Sequence, residues 1–150
     1  MKPHFVDVPG LVVEDSGFVR TLVRDMLAQV GLKTVTSVGD VQSALAALHR
    51  FSPRFILLDW YLPDHCASQL LEVLRDPARS VFPKVPVVLI SGLPTRDLVD
   101  DAAGFGIVHL LRKPFSPRQL WQRLAAIPLD TVGSSASAPA EGYAAVNIRA

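Results

Sequence analysis

The stretch Phe55-Ile56-Leu57-Leu58-Asp59-Trp60-Tyr61-Leu62-Pro63 sets four apolar residues directly before an aspartate and closes on a proline turn. A run of this length with β-branched content, flanked by turn signals, reads as a strand buried on both faces of a parallel sheet. Three further runs share its form. Leu11-Val12-Val13 runs into Glu14-Asp15, and Val87-Val88-Leu89-Ile90 stops at Ser91. Ile107 to Leu111, with His109 its only polar member, leads through Arg112 to Lys113-Pro114. In an open α/β sheet a ligand site lies outside the carboxyl ends of the strands. Acids, a hydroxyl and an amine from distant parts of the chain therefore converge on one edge.

Between the runs lie helical patterns. Helix one spans about Ser16 to Val30, with Phe18, Val19, Leu22, Val23, Met26, Leu27 and Val30 at helical spacing and Gly31 placed to end it. Lys33 to Val38 is a second strand. Helix two begins near Gly39-Asp40 and carries Val41, Ala44, Leu45 and Leu48 on one face. Helix three covers about Ala67 to Leu74. A further strand covers Val85 to Ile90, where Pro86 must sit near the start because it cannot donate to a ladder. Helix four covers Thr95 to Ala103. Helix five opens with Ser116 as N-cap, Pro117 in the first turn and Gln119 completing a capping box, and buries Leu120, Leu124 and Ile127. Residues 1–9 read as a short leader and residues 10–128 as the folded domain. Residues 129–150, rich in Ser, Ala, Gly and Pro from Thr131 to Gly142, read as a tail or arm.

Composition narrows the function classes. At 150 residues the chain can bury roughly 70% of its unfolded surface as one domain. Its 15 basic and 14 acidic residues give a net charge of +1, so charge argues for neither nucleic acid nor an anionic membrane as partner. A single cysteine, Cys66, excludes an internal disulfide and fits a reducing compartment. No apolar stretch approaches the ~20 residues that span a bilayer, and no signal peptide is evident, so a cytoplasmic location is expected. His4, His49, His65 and His109 lack metal-ligand spacing, and no P-loop, dinucleotide fingerprint or nucleophile elbow is present.

Glu14-Asp15, Asp59 followed by Leu62-Pro63, Ser91-Gly92 and Lys113-Pro114-Phe115 together make the chain resemble the receiver domain of two-component response regulators, over about Leu11 to Ile127. The resemblance implies a flavodoxin-like, three-layer (βα)5 sandwich around a five-stranded parallel sheet in the order 2-1-3-4-5. It implies that Asp59 accepts a phosphoryl group from a sensor histidine kinase or a histidine phosphotransfer protein. Mg2+ would be held by Asp15, Asp59 and the backbone carbonyl of Tyr61, with Glu14 acting through water. It also makes Lys113 and Ser91 the partners of the phosphoryl oxygens and places a cis peptide before Pro114. Singly these residues have plainer readings, Asp15 as a helix cap, Ser91 as a turn residue and Lys113 as a solvated charge.

Two departures from the family pattern stand out. Leu110 occupies the position three before Lys113 where an aromatic usually rotates on activation. Trp60, Tyr61 and Leu93 crowd the approach of water to the acceptor. About 20 tail residues are too few for a helix-turn-helix domain, so a stand-alone regulator is expected, a phosphoprotein signalling by protein contact or phosphorelay. A homodimer is also expected, using an exposed Trp121 on helix five and Tyr143, Val146 and Ile148 of the tail. The rival readings are a receiver-like scaffold that ignores phosphorylation and an aspartyl-phosphate phosphatase. The latter needs a second acid where Tyr61 stands.

Overall fold

The computed structural model describes residues 2–63, 67–80 and 82–129. From Gly10 to Ala125 strands and helices alternate. Strand β1 is Gly10–Val13, β2 Val35–Val38, β3 Phe55–Asp59, β4 Val87–Ser91 and β5 His109–Arg112. The helices are α1 Gly17–Ala28, α2 Val41–Leu48, α3 Ser68–Arg75, α4 Arg96–Gly104 and α5 Pro117–Ala125. All strand pairs are parallel and the sheet order is β2-β1-β3-β4-β5. The expected topology is therefore present. Strand β4 begins at Val87, one residue past Pro86, so the ladder asks no donor of the proline, whose carbonyl accepts the Ile56 N–H at 2.9 Å.

Successive strand residues point to opposite faces, and the core divides accordingly. Leu11, Val13, Ile56, Leu58, Val87 and Leu89 pack under α2, α3 and α4 with Leu70, Leu71, Leu98 and Ala102. Val12, Leu57, Val88, Ile90 and Leu111 pack under α1 and α5 with Val23, Leu27, Leu120 and Leu124. Phe5 joins this second layer, and its N–H donates to the Val30 carbonyl at 2.8 Å, so the leading segment is docked on the domain. Asp7 accepts from the backbone of Lys33 and Thr34 and from the Thr34 hydroxyl.

Local chemistry sets most helix starts. The side chains of Ser16, Asp40, Thr95 and Ser116 accept from the backbone N–H three residues on in α1, α2, α4 and α5. Gln119 Oε1 closes the capping box by accepting the Ser116 N–H at 2.8 Å. Ser16, not Asp15, thus caps α1, which leaves the Asp15 carboxylate uncommitted to the helix. Gly31, with φ of 96°, turns the chain out of α1 in a conformation that glycine tolerates best. No helix among the described residues is long and apolar enough to cross a membrane.

Gly10 opens β1 flat against the Phe55 ring, and a methyl group there would overlap that ring. Phe55 is fully buried and cannot swing into solvent. Gly10→Ala is expected to destabilise the domain by about 1–3 kcal/mol through overpacking. A urea titration checks this, and an unchanged midpoint would contradict the close approach.

Candidate functional site

The four strand ends deliver their polar residues to one place. Asp59 is the last residue of β3 and Ser91 the last of β4, while Glu14-Asp15 follow β1 and Lys113 follows β5. Register aligns them, since Val13 pairs with Leu58, Asp59 with Ile90 and Ser91 with Arg112. The Lys113 N–H donates to the Ser91 carbonyl at 2.9 Å, which carries the β4–β5 ladder one step further. The Lys113-Pro114 peptide is cis.

The Lys113 ammonium lies 2.6 Å from Glu14 Oε2 and 2.9 Å from Asp59 Oδ2. Asp59 Oδ1 accepts the Tyr61 N–H at 3.0 Å, so both its oxygens are oriented and its side chain is nearly closed to solvent. Glu14 is buried, and its Oε1 accepts the Ser16 N–H at 3.2 Å. Burial pushes the Glu14 carboxyl up to about 7, against the pull of Lys113 and with repulsion from Asp59 adding to the rise. For Lys113, burial works against the charge, but the paired carboxylates of Glu14 and Asp59 outweigh it and hold the ammonium above its ordinary range. Ser91 Oγ accepts the Leu93 N–H at 3.1 Å, which leaves its hydroxyl proton available to donate.

Glu14, Asp15 and Asp59 each offer a carboxylate oxygen, and these atoms lie within 4.8 Å of one another. Three carboxylates face one ammonium. The donors are all hard oxygen, Asp15 is exposed at the mouth, and the imbalance of charge is what a divalent cation would offset. The residues fit Mg2+.

Residues 11–125 match the family described as the response regulator receiver domain. The chain belongs to that family. The chemotaxis protein CheY of Pseudomonas aeruginosa is 26% identical to this receiver over 117 residues, 78% of the chain and 93% of CheY. The phosphate regulon transcriptional regulatory protein PhoB of Escherichia coli is 34% identical over 119 residues, 78% of the chain but only 50% of PhoB, so this chain spans half of that relative's length. Among solved structures, the Vibrio cholerae chemotaxis protein CheY4 matches with a TM-score of 0.73 and 22% identity, covering 80% of this chain and 98% of that one. At that identity the likeness speaks for the fold, which is the CheY-like arrangement of five parallel strands and five helices.

Two expectations for the receiver are corrected by burial. Trp121 is not an exposed ring. Its side chain lies in the α1/α5 layer, its indole N–H donates to the Met26 carbonyl at 2.9 Å, and Lys2 Nζ stands 5.6 Å from its ring centroid. The exposed aromatic on which the expected homodimer rests is therefore lacking. Tyr143, Val146 and Ile148, the other interface residues, lie outside the described residues. Trp60 also turns inward, into the layer under α2 and α3, and does not flank the acceptor. Tyr61 and Leu93 are exposed at the rim as expected, at 52% and 65%. Leu110 packs in the inner layer beside α4, and its carbonyl accepts from Arg123 Nε at 3.1 Å. His65 and Cys66 fall outside the described residues.

Sequence reasoning misses two arginines. Arg75 donates to the carbonyls of Phe105, Pro83 and Val85 and ties the end of α3 to two loops. Arg20 reaches back from α1 to the carbonyls of Glu14 and Asp15. Neither belongs to a motif. The signal available for Arg20 is an arginine one turn into a helix whose N-terminus abuts an acid pair, because helical side chains lean toward the N-terminus.

Proposed function

We propose that this receiver accepts a phosphoryl group on Asp59 from the phosphohistidine of a kinase or phosphotransfer protein, with Mg2+ held by Asp15, Asp59 and the Tyr61 carbonyl. The observation that carries the reading is the placement of the Lys113 ammonium against Asp59 Oδ2 inside the acid cluster. An oxygen of Asp59 forms the new bond to phosphorus while the bond from phosphorus to the donor imidazole breaks, and the proton needed by the departing nitrogen comes from solvent. Charge collects on the phosphoryl oxygens in that transfer, and catalysis amounts to positioning and electrostatics. Lys113 neutralises one oxygen. Ser91 donates its hydroxyl to another. When bound, Mg2+ supplies the remaining positive charge. Buried Glu14 helps keep Lys113 charged and would reach the cation through water.

The reading puts the acting domain at about residues 10–128, docked by its leader and followed by the tail. It needs no further catalytic group, in keeping with a protein that catalyses only its own phosphorylation and dephosphorylation. The test is incubation with acetyl phosphate and Mg2+ followed by intact-mass measurement. One added phosphoryl group is expected, and none on Asp59→Asn. The same gain by Asp59→Asn would overturn the assignment.

Tyr61 and Leu93 set bulky side chains at the rim, with neither a carboxylate nor an amide to orient water, so a slow loss of the phosphoryl group follows. Tyr61→Asn replaces the ring by an amide and is expected to speed hydrolysis on the order of tenfold, about 1.4 kcal/mol of barrier. Following the phosphorylated mass with time after removal of acetyl phosphate checks this. An equal or slower rate removes the steric account.

A further inference from the structure

We propose that Arg20 is a positioning residue for the acid cluster, pinning the loop that carries Glu14 and Asp15 so that the Asp15 carboxylate is held ready for a divalent cation. This rests on the reading of the site given above and deepens it. Arg20 Nη1 donates to the Glu14 carbonyl at 2.6 Å and to the Asp15 carbonyl at 3.1 Å. On the other side of the loop the Glu14 N–H donates to the Val38 carbonyl at 3.0 Å, and the Ser16 N–H donates to the Glu14 carboxylate. The backbone that presents Asp15 is thus tied from β2 and from α1 at once.

The arginine is not there for the helix. It sits in the first turns of α1, where a cation opposes the macrodipole, and among the described residues its guanidinium pairs with no carboxylate. Its charge is spent on two successive carbonyls beside the site. The guanidinium also lies close over the backbone at Gly39, where a Cβ would come within 3.0 Å of Nη1, whereas one at Gly17 would make only ordinary contact with Nη2 at 3.4 Å. Asp15 itself is exposed, and an exposed acid on a loose loop loses conformational freedom whenever it captures an ion. A loop already fixed by Arg20 avoids that loss. Both bonds leave from the one nitrogen Nη1, so a lysine ammonium, which carries three donors, can replace part of the contact.

The experiment is calorimetric titration of the full chain with Mg2+ alone, comparing wild type, Arg20→Gln, Arg20→Lys and Arg20→Met, with circular dichroism on each. Arg20→Gln is expected to weaken Mg2+ binding by about 10- to 100-fold, as loss of outer-shell support does at metal sites. Arg20→Lys should recover part of that loss. In the acetyl phosphate reaction the defect should appear in the Mg2+ concentration required rather than in the rate at saturation, because Arg20 touches no reacting atom. Folded Arg20→Gln that binds Mg2+ as tightly as wild type overturns the proposal while leaving the acid site intact. If Arg20→Gln does not fold, Arg20→Met decides, since it keeps the apolar stem and cannot donate; weakened binding supports the proposal and unchanged binding overturns it. Absence of Mg2+ binding by the wild type would overturn both this proposal and the reading beneath it.

Discussion

Lys113→Ala is expected to slow phosphorylation by acetyl phosphate about 10²- to 10³-fold at saturating Mg2+, the loss typical when one preorganised donor to developing charge is removed. The reason lies in how the ammonium is held. It is placed by the β4–β5 ladder through its own N–H on the Ser91 carbonyl, and it is fixed between Glu14 and Asp59 at 2.6 and 2.9 Å. It therefore meets an incoming phosphoryl oxygen without reorganising. Its removal also leaves two carboxylates facing each other with less compensation. Lys113→Arg is not a rescue, because a planar fork does not fit where a point charge bridges two acids. The rate is read by intact mass against time. A Lys113→Ala rate close to wild type would show that the cation site alone carries the transfer.

Glu14→Gln is expected to stabilise the metal-free domain by roughly 3 kcal/mol at pH 8, the free-energy equivalent of lifting a carboxyl from 4.5 to about 7. The sign follows from which state binds the proton more tightly. The folded state does, because burial penalises the charged Glu14. Its contribution to stability is best below pH 4.5, declines as pH rises through about 7, and stays low above that. The stability difference between Glu14→Gln and wild type should therefore be small in mild acid and grow toward pH 8. Urea denaturation in the presence of a chelator, run for both proteins at several pH values, checks it. A difference that does not change with pH, or a variant less stable than wild type at pH 8, would contradict the burial penalty on the charged Glu14. Adding Mg2+ should shrink the gap, since a cation bound at the cluster offsets the repulsion that the glutamine removes.

Much of the fold and of the site is legible in the sequence, because the signals are local or periodic. Four apolar runs that stop on Asp59, Ser91, Glu14 and the Arg112-Lys113 pair define strand ends, and the rule that ligands bind at the carboxyl edge then assembles the site. The helix caps are equally local, since Ser116 and Gln119 stand within one helical turn of each other. What the sequence does not reveal depends on distant partners. Trp121 follows buried Leu120, and spacing alone puts it at the margin of the helix. Its N–H finds Met26, a residue from the other helix of the same layer, and that bond draws the ring in. Adjacency to Asp59 suggests the mouth of the site for Trp60, yet strand alternation past β3 turns it into the core under α2 and α3. Phe5 lies in a leader where an isolated phenylalanine carries no period; its burial, its bond to Val30 and the Asp7 bonds to Lys33 and Thr34 show that the segment docks. Arg20 bonds to carbonyls, which every residue has, so no sequence pattern marks its targets.

The proposed function requires that phosphorus bond to Asp59 and to no other acid of the cluster. An acyl phosphate is reduced by borohydride to an alcohol, whereas a free carboxylate is not. Treating the acetyl phosphate-modified protein with borohydride and sequencing its peptides by mass spectrometry therefore marks the acceptor directly. Homoserine is expected in place of Asp59, with Glu14, Asp15 and every other acid unchanged. Homoserine in place of Asp15, a reduced Glu14, or a phosphorylated protein with Asp59 intact would contradict the assignment.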